Sequence, residues 1–416
     1  MTTRIAGPLG FFLILLAAGA QAHSPIDNAA GEEPSIQSTE QQLVNPDQGP
    51  DDRASRVFGQ SVAVSGRTAL VGATANDDRG AVYQFERNAA GEWVFRAKIA
   101  PPDQPQFAGF GSSIAFDGFS ALIGAPSQGV VYYYVLHKRA FHLQQVLLGP
   151  QGHRSFGTTL ALHGCDAMIA DTGSSEAGSA SVSVWDRCNR HGLWRREQLL
   201  HAADSDPSSF FGASLALEAG EMLIGAWSGS EPAAFYYVRR HGRWIEQQKL
   251  VTADARAGNG FGRSVAFDGR VAVIGDSGAN FIDPGTPQTG AVYVFVRASH
   301  GWVEEDKLVP LAGQTSDEQW AGYGTTVVLS NDHLVVGAPD PFARGDDLPG
   351  RIFIYERRRH HAFDFVESLA GHEQVANYGA ALSISGHTLL VGEPAIRLHF
   401  VDIFDGAAYA VRLPGH

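Results

Sequence analysis

Acidic and aromatic side chains that could contact a ligand stand in the polar connecting stretches of this chain. Carboxylates can coordinate calcium, act as general acids or bases, or accept hydrogen bonds, and an exposed indole offers a flat apolar face. The candidates for a ligand-binding surface are Asp171, Asp276, Asp283, Asp340, Asp346, Trp227 and Trp320. Asp is also a common turn residue, so each of these acids has a purely structural interpretation as well.

Recognisable catalytic and metal-binding motifs are missing from the sequence. There is no His-Glu-x-x-His motif and no Gly-x-Ser-x-Gly motif, and the adjacent His360 and His361 would point apart in a strand. Calcium loops place several oxygens in one short segment, and the nearest segments, residues 74–80 and 344–350, carry too few acids. The sequence therefore predicts no catalytic residue, no metal site and no cofactor, with calcium as the one cofactor left open.

Composition narrows the class of protein. The 416 residues include 44% hydrophobic residues, enough to bury a large core, and 48 Gly without a Gly-X-Y period, which indicates many turns. The net charge of −13 argues against general nucleic-acid binding, which needs a basic surface.

Residues 1–22 have the features of a secretory signal. Arg4 supplies the positive charge, residues 9–19 are apolar, and Ala20 and Ala22 form a small-x-small cleavage site. A membrane anchor is the alternative, but the apolar run is shorter than the roughly 20 residues that a spanning helix needs. We therefore predict cleavage after Ala22, no transmembrane segment, and a mature chain that is secreted or periplasmic. The polar residues 23–40 are predicted to be a disordered leader.

An aromatic residue followed by Gly recurs along the rest of the chain. The pairs are Phe58-Gly59, Phe110-Gly111, Phe156-Gly157, Phe211-Gly212, Phe261-Gly262, Tyr323-Gly324 and Tyr378-Gly379, separated by 46 to 62 residues. Repeats of this length are typical of solenoids and propellers. We expect each Gly to permit a positive φ or a close backbone approach, and each aromatic ring to pack between neighbouring repeats.

Each pair opens the same series of segments. The alternating run "SVAFDG" (264–269) is followed by the apolar run "VAVIGD" (271–276), a variable loop, the aromatic-rich run "GAVYVFVR" (290–297) and the run "GWVEEDKL" (301–308). Period-2 alternation closed by tight turns predicts strands, and four short antiparallel strands make one propeller blade. We predict an all-β fold, a seven-bladed β-propeller of four-stranded antiparallel blades, over residues 41–416.

The repeated phrase resembles the FG-GAP repeat, which is found in the integrin alpha-chain N-terminal propeller and in secreted bacterial proteins. The Gly-Ala-Pro landmark is intact at 124–126 and 337–339, partial at 72–73, 225–226 and 392–394, and lost at 170–171 and 275–276. The resemblance covers nearly the whole predicted mature chain. It implies a propeller that binds partners, and in some blades of the family a calcium loop.

Either end of the chain could complete the ring. Residues 41–47, "QQLVNPD", copy the fourth-strand phrase "QQKLVTAD" of residues 247–254, and residues 409–415, "YAVRLPG", also have the pattern of a fourth strand. Residues 399–404, "HFVDIF", are predicted to be the third strand of the seventh unit. We expect one or both ends to cover the open edge of the last blade.

The connections of a blade alternate between two faces of the disc. The loop face holds the second-to-third strand loops and the blade-to-blade loops, and it carries the acidic and aromatic candidates. The hairpin face holds the tight hairpins, where basic residues cluster. An anionic-surface site for glycans or lipid head groups is predicted at Arg239, Arg240, Arg357, Arg358 and Arg359. Solvated hairpin ends are the alternative.

The two cysteines fall at neighbouring strand ends of the third unit. Cys165 begins the second strand and Cys188 ends the third, and adjacent antiparallel strands bring these ends to one edge. In an oxidising compartment we predict a structural disulfide between them.

Together these features predict a secreted or periplasmic binding propeller that presents loops to a protein or glycan partner at the cell envelope. Two alternatives stay open: a polysaccharide-acting lyase or hydrolase with its site in the central funnel, and an envelope assembly scaffold. We expect a monomer that binds no nucleic acid.

Overall fold

The computed structural model describes residues 38–47, 57–74, 79–102, 108–150, 155–173, 180–189, 192–202, 210–228, 230–253, 255, 260–278, 290–310, 322–330, 332–339, 349–358, 361–372, 377–394 and 406–414. All of them belong to one compact unit, Ser38–His416. The predicted signal peptide and the predicted leader up to residue 37 lie outside the described residues. In the part of the chain that is described, no helix has the length and apolar character that crossing a bilayer requires.

The described strands form seven four-stranded antiparallel sheets, here called blades 1 to 7 in the order of their innermost strands. The innermost strands are β2 (Phe58–Ser65), β6 (Ile114–Phe116), β10 (Phe156–His163), β14 (Ser214–Glu218), β18 (Phe261–Phe267), β22 (Thr326–Leu329) and β26 (Ala381–Ser385). The second strands are β3 (Thr68–Ala73), β7 (Ser120–Ala125), β11 (Asp166–Asp171), β15 (Glu221–Ala226), β19 (Val271–Asp276), β23 (His333–Ala338) and β27 (Thr388–Glu393).

The outer halves of the blades complete the sheets. The third strands are β4 (Ala81–Arg87), β8 (Val130–His137), β12 (Ser181–Asp186), β16 (Ala233–Arg240), β20 (Ala291–Ala298), β24 (Arg351–Arg357) and β28 (Ala407–Arg412). The outermost strands are β5 (Trp93–Ile99), β9 (Ala140–Leu148), β13 (Arg195–Leu200), β17 (Arg243–Leu250), β21 (Gly301–Leu308), β25 (Phe363–Ala370) and β1 (Thr39–Leu43). One turn of 3₁₀ helix, Pro126–Gln128, follows β7.

The blades close into a ring. Each innermost strand packs against the innermost strand of the next blade, and β26 packs against β2. Seven hydrophobic clusters lie between the blades, one for each neighbouring pair. The cluster between blades 4 and 5, for example, brings Leu223 of one sheet against Ile274 and Tyr293 of the next. The predicted all-β, seven-bladed propeller is confirmed, and apolar burial between blades is what makes the ring necessary.

The aromatic-Gly pairs stand at the inner edge of every blade. Their aromatic rings are buried, and each meets an aromatic ring of the third strand of its own blade. The seven glycines share φ values between 86° and 91°, which Gly adopts at little cost. A Cβ added at Gly262 would also lie 2.5 Å from the carbonyl oxygen of Ala233. Both expected reasons for Gly, positive φ and close approach, therefore hold.

Both chain ends build blade 7. The N-terminal β1 pairs antiparallel with the C-terminal β28, and the sheet order is β1-β28-β27-β26. The prediction of a fourth strand at residues 409–415 is wrong, because residues 409–412 lie in the third strand and β1 takes the outermost place. The predicted third strand at 399–404 lies outside the described residues. The predicted domain start at residue 41 falls inside β1.

A repeated side-chain contact ties the outermost strands of neighbouring blades. The amide of Gln41 donates to the Trp93 carbonyl and accepts from the Trp93 backbone N–H, each at 2.8 Å. The same double bond joins Gln145 to Trp194, Gln198 to Trp244 and Gln248 to Trp302. Gln41 thus does for blade 7 what Gln248 does for blade 4, which explains why the N-terminal phrase copies the fourth-strand phrase.

The predicted disulfide is confirmed. Cys165 and Cys188 are bonded, with their Cα atoms 5.4 Å apart, and they use both cysteines of the chain. The bond joins the residue before β11 to the segment after β12, so it closes the hairpin-face end of these two strands in blade 3.

Candidate functional site

The innermost strands of the seven blades surround a central channel. Counting the aromatic residue of each aromatic-Gly pair as position 0, residues at positions 2 to 6 line it. From position 3 onward, odd positions face the next blade and even positions face the preceding one, because side chains alternate along a strand. Ala63 thus packs in the cluster between blades 1 and 2, and Val62 in the cluster between blades 7 and 1.

The channel begins at the loop face with a cavity of about 480 Å³. Position 2 lines it with six side chains, here called the mouth ring: Gln60, Thr158, Ala213, Arg263, Thr325 and Ala380. In blade 2 the corresponding Ser112 donates its hydroxyl to the carbonyl of Gly109 at 2.7 Å. The mouth is therefore polar, and its chemistry differs from blade to blade.

Below the mouth, positions 4 and 6 carry apolar side chains that border the channel and also pack in the clusters between blades. Position 4 forms the aliphatic ring: Val62, Ile114, Leu160, Leu215, Val265, Val327 and Leu382. Position 6 forms the lower ring: Phe116, Leu162, Leu217, Phe267, Leu329 and Ile384. These two rings enclose a second cavity of about 410 Å³, and the aliphatic ring lines both cavities. The two cavities therefore meet at that ring.

Position 3 holds neighbouring blades together. The hydroxyls that donate to the position-1 Gly carbonyl of the next blade, at 2.6 to 2.9 Å, are those of Ser61, Ser113, Ser214, Ser264 and Thr326. Thr159 donates to Ala213 instead, at 3.2 Å. Blade 7 has Ala381 at this position, so its junction with blade 1 lacks the hydroxyl. The Gly of the Gly-Ala landmark faces the same carbonyl, since a Cβ at Gly275 would lie 2.0 Å from the Gly324 oxygen.

One cation of the mouth ring is held by aromatic rings. The Cζ atom of Arg263 lies 5.3 Å from the ring centroid of Trp227. Trp227 in turn stacks on Phe210, with centroids 5.2 Å apart and planes 13° from parallel. A cation–π contact of this kind orients the guanidinium without neutralising it. Trp227, predicted as a ligand-stacking residue, is thus engaged by Phe210 and Arg263.

The predicted acidic candidates that the structure describes are buried. Asp171 and Asp276 are the last residues of β11 and β19, where most blades have the Ala of the Gly-Ala landmark, and both are almost fully shielded from solvent. Glu393 occupies the same place in blade 7 and is equally buried. Asp276 accepts a hydrogen bond from the Gly278 amide at 3.3 Å. Asp283, Asp340, Asp346 and Trp320 lie outside the described residues.

The predicted basic candidates that are described take part in local contacts. Arg239 pairs with Asp166 at 2.6 Å and with Glu197 at 3.2 Å. Arg357 pairs with Asp268 at 2.5 Å. Arg358 pairs with Asp364 at 2.9 Å, and the exposed Arg240 donates to Gln247 at 3.3 Å. Arg359 lies outside the described residues.

The pairs of Arg239 and Arg357 join neighbouring blades at the hairpin face, and they affect the carboxyl pKa values differently. Burial would raise the pKa of Asp268, but hydrogen bonds from the Val271 and Arg270 amides and from Arg357 hold it below its ordinary value. Burial raises the pKa of Asp166 above its ordinary value, and the nearby Arg239 offsets this only in part. Arg239 and Arg357 thus mainly hold neighbouring blades together.

The residue that the sequence prediction overlooked is Arg263. Its signal was present, because it stands at position 2 of the repeated phrase, which lines the channel mouth in six of the seven blades. In the described ranges, no three His, Cys, Asp or Glu side chains gather as they would around a metal ion.

Comparisons with known proteins agree with the architecture. A family model described as the FG-GAP repeat matches residues 38–85 and 244–295. The crystal structure of selenomethionine-substituted virginiamycin B lyase from Staphylococcus aureus matches with a TM-score of 0.53 and 9% sequence identity, over 91% of this chain and 100% of that chain. At that identity the likeness shows the fold alone. A search of curated proteins finds no match.

Proposed function

The chain is an FG-GAP repeat propeller, and from that premise we propose that it is an exported binding protein. Its loop face, including the channel mouth, contacts a protein or glycan partner at or beyond the cell envelope. The Cys165–Cys188 disulfide and the predicted signal at residues 1–22 support an oxidising compartment.

The observation that carries this proposal is that some positions of the repeated phrase are constant and an adjacent one varies. Positions 0 and 1 are an aromatic residue and Gly in all seven blades, because they close the ring. Position 2, one residue further, is Gln, Ser, Thr, Ala, Arg, Thr and Ala in turn. A rigid frame that presents chemically different groups at one rim suits recognition, since the frame keeps them in place before a partner arrives.

The hairpin face offers a weaker case for recognition. Arg239 and Arg357 pair with carboxylates of the preceding blade, and Arg358 pairs within its own blade. A paired guanidinium attracts an anionic surface less than a free one does. The anionic-surface site at these residues remains a prediction, and the loop face is the stronger candidate.

Pull-down from native envelope extract, with a glycan array in parallel, tests the proposal. The loop-face variant replaces residues 341–348 by a Gly/Ser segment of equal length, and the matched hairpin-face control is Arg240→Ala. We expect the partner or glycan to be retained by the control and lost by the loop-face variant. If the loop-face variant still captured the partner and the control did not, the hairpin face would be the recognition surface.

The same preparation distinguishes the alternatives. Turnover of a polysaccharide, abolished by Asp340→Asn in a protein that still folds, would indicate an enzyme rather than a binding protein. Stoichiometric recovery of several envelope proteins in one complex would indicate an assembly scaffold.

A further inference from the structure

Phe210, the residue before the aromatic-Gly pair of blade 4, has a backbone conformation that bulky side chains rarely adopt. Its φ is +50°, in the left-handed region. In blades 2, 5 and 6 the equivalent residue is a glycine, also with positive φ: Gly109, Gly260 and Gly322. Strain of this kind is often found at functional sites, where the surrounding structure maintains it. A Phe at a place where three other blades have Gly therefore indicates a role for its ring.

The Phe210 ring belongs to a stack of three groups at the channel mouth. It lies nearly parallel to the ring of Trp227, with centroids 5.2 Å apart, and the Cζ atom of Arg263 lies 5.3 Å from the Trp227 centroid. Trp227 and Arg263 both line the mouth cavity. Blade 4 thus supplies the aromatic pair and blade 5 the cation, and the aromatic pair holds the guanidinium in place at the rim.

The Arg263 guanidinium is available to an incoming anion. Among the described residues that line the mouth cavity, Arg263 is the one ionisable side chain. It is exposed, and it forms no ion pair or hydrogen bond with any described residue. The hairpin-face arginines of blades 3 to 6 differ, because each pairs with an acid of the preceding blade. The planar fork of an arginine matches a carboxylate in size and charge, through two parallel N–H···O bonds.

Other side chains of the mouth ring can bind hydroxyl groups. The Thr325 hydroxyl donates to the Gly322 carbonyl at 2.7 Å and can still accept a hydrogen bond. The Gln60 side-chain oxygen accepts from the Thr74 hydroxyl at 2.5 Å, and its amide N–H groups donate to no described residue. A sugar hydroxyl both donates and accepts, so a rim that offers both kinds of group suits a carbohydrate.

We propose that the channel mouth binds a sugar carboxylate, which is a pyranose with one carboxylate group. The assignment rests on the proposed function, because it names the ligand class of the mouth of the same loop face. The carboxylate accepts hydrogen bonds from Arg263, and the sugar hydroxyls bind Gln60 and Thr325. Phe210 is a positioning residue, because it acts through Trp227. The mouth cavity, about 480 Å³, is of the size that small-molecule sites have. The sugar is either a free sugar acid or the end of an acidic polysaccharide.

Isothermal titration calorimetry of the purified full chain with sodium glucuronate and sodium galacturonate tests the proposal. Glucose and galactose are the matched neutral sugars, and acetate is the carboxylate without a sugar. We expect at least one uronate to bind about tenfold or more tightly than both its neutral sugar and acetate. Equal affinity of the uronates and their neutral sugars, or of the uronates and acetate, would overturn the proposal.

Trigalacturonate distinguishes the two sources of the ligand. Tighter binding of trigalacturonate than of galacturonate would support the end of an acidic polysaccharide. Equal or weaker binding of trigalacturonate would support a free sugar acid.

Two variants and a control assign the site. Arg263→Met removes the charge and keeps an unbranched side chain, and we expect uronate affinity to fall about tenfold to a hundredfold, to the level of the neutral sugar. Arg243→Met changes an exposed arginine at the start of β17 and should leave the affinity unchanged. Unchanged uronate affinity in Arg263→Met, with thermal unfolding showing that the variant folds, would overturn the site.

Phe210→Gly separates positioning from a purely structural role. It removes the ring and relieves the positive φ, so the unfolding temperature should not fall. We expect uronate affinity to fall about twofold to tenfold, because the guanidinium loses part of its support, while affinity for the neutral sugar stays the same. A lower unfolding temperature with unchanged uronate affinity would overturn the role assigned to Phe210.

Failure of this proposal can be told apart from failure of the proposed function. If neither uronate bound, the mouth site would be overturned, whereas capture of a partner that depends on residues 341–348 would still support the proposed function. If uronate bound through Arg263 and replacement of residues 341–348 left partner capture unchanged, the mouth site would be supported and the long loop would have no part in recognition.

Discussion

The blade-to-blade ring and the channel mouth are built from neighbouring residues of the same strands, yet they follow different rules. Positions 1 and 3 of the phrase repeat nearly unchanged, as in Gly262 and Ser264, because each must fit a backbone atom of another blade. Position 4 stays aliphatic because it packs in the clusters between blades. Position 2 lines the mouth and has no common character, from Ala213 to Arg263.

This difference shows which positions of a repeat can change, and so gain a binding role, without disturbing the fold. A residue that contacts a neighbouring main chain at 2 to 3 Å cannot change without moving a blade, whereas a channel-facing residue can change at little cost to folding. The junction of blades 7 and 1 is the exception to the rule that residues contacting a neighbouring main chain stay constant. It lacks the position-3 hydroxyl at Ala381 and is bridged by β1 through Gln41 to Trp93, while Glu40 and Tyr378 tie β1 to its own blade 7.

The largest effect should come from the ring glycines. Gly262→Ala should lower the free energy of unfolding by about 3 kcal/mol or more, because strain at positive φ adds to a clash of the new Cβ with the Ala233 carbonyl oxygen, only 2.5 Å away. Gly269→Ala is the matched control, with φ +84° and no atom within 4 Å, and should cost about 1 to 2 kcal/mol. Chemical denaturation compares the two. Equal costs would mean that close approach does not constrain the ring.

The disulfide should have the next largest effect. Blade 3 departs from the phrase at Ala170, where the landmark Gly is lost, and it is the blade that carries Cys165–Cys188. Replacing both cysteines by Ser should cost about 3 kcal/mol, since the bond closes a loop of 23 residues in sequence separation. Denaturation of oxidised wild type, reduced wild type and the double variant checks this. Equal stability of oxidised and reduced protein would show that β11 and β12 need no cross-link.

The position-3 hydroxyls should contribute less. Ser264→Ala removes a hydrogen bond to the Gly324 carbonyl and should cost about 1 kcal/mol. Ala381→Ser is the reciprocal change, because it supplies the missing donor toward Gly59, and it should stabilise the protein by up to about 1 kcal/mol. A destabilising Ala381→Ser would mean that the junction of blades 7 and 1 has a geometry different from the other junctions.

The stability that β1 adds to blade 7 should depend on pH. Burial raises the pKa of Glu40 above its ordinary 4.5, although the hydrogen bond from Tyr378 and the charge of His372 act to lower it. The folded chain then holds a proton that the unfolded chain has lost, so this site's stability is full below about pH 4.5 and falls as pH rises through the raised pKa.

Glu40→Gln keeps an acceptor for Tyr378 and cannot ionise. Relative to this variant, the wild type should lose stability as pH rises above 4.5. Thermal unfolding of both proteins from pH 4 to 7 measures the difference. A wild type that instead gains stability over the variant across this range would show that the pair with His372 outweighs burial.

Changes in the mouth ring should have the smallest effect on the free energy of unfolding. Arg263→Met and Thr325→Val alter mouth-ring side chains and should change the free energy of unfolding by less than about 0.5 kcal/mol. Thermal unfolding checks both. A loss as large as that of Ser264→Ala would mean that the mouth ring helps to hold the blades, and the contrast between the two regions would fail.

Much of the fold could be predicted from the sequence because its signals are local and repeated. A strand period of two, tight turns, and Gly after each aromatic residue are properties of neighbouring residues, and seven copies in register allow few other architectures. The disulfide was predictable for the same reason, because Cys165 and Cys188 flank adjacent strands. The site was less predictable. Asp171 and Asp276 look like surface acids in the sequence, and only the packing of blades shows that they are buried.

The sequence by itself determined the strands, their number per repeat and the ring of seven, because burial of alternating apolar residues leaves a blade incomplete without its neighbours. Only the tertiary structure decided how the ring ends meet, that Arg239 and Arg357 pair with acids of neighbouring blades, and that Arg263 lies at the channel mouth beside Trp227. These contacts join residues far apart in the chain. Their partners are set by where the blades bring the residues in space, which no local pattern of the sequence encodes.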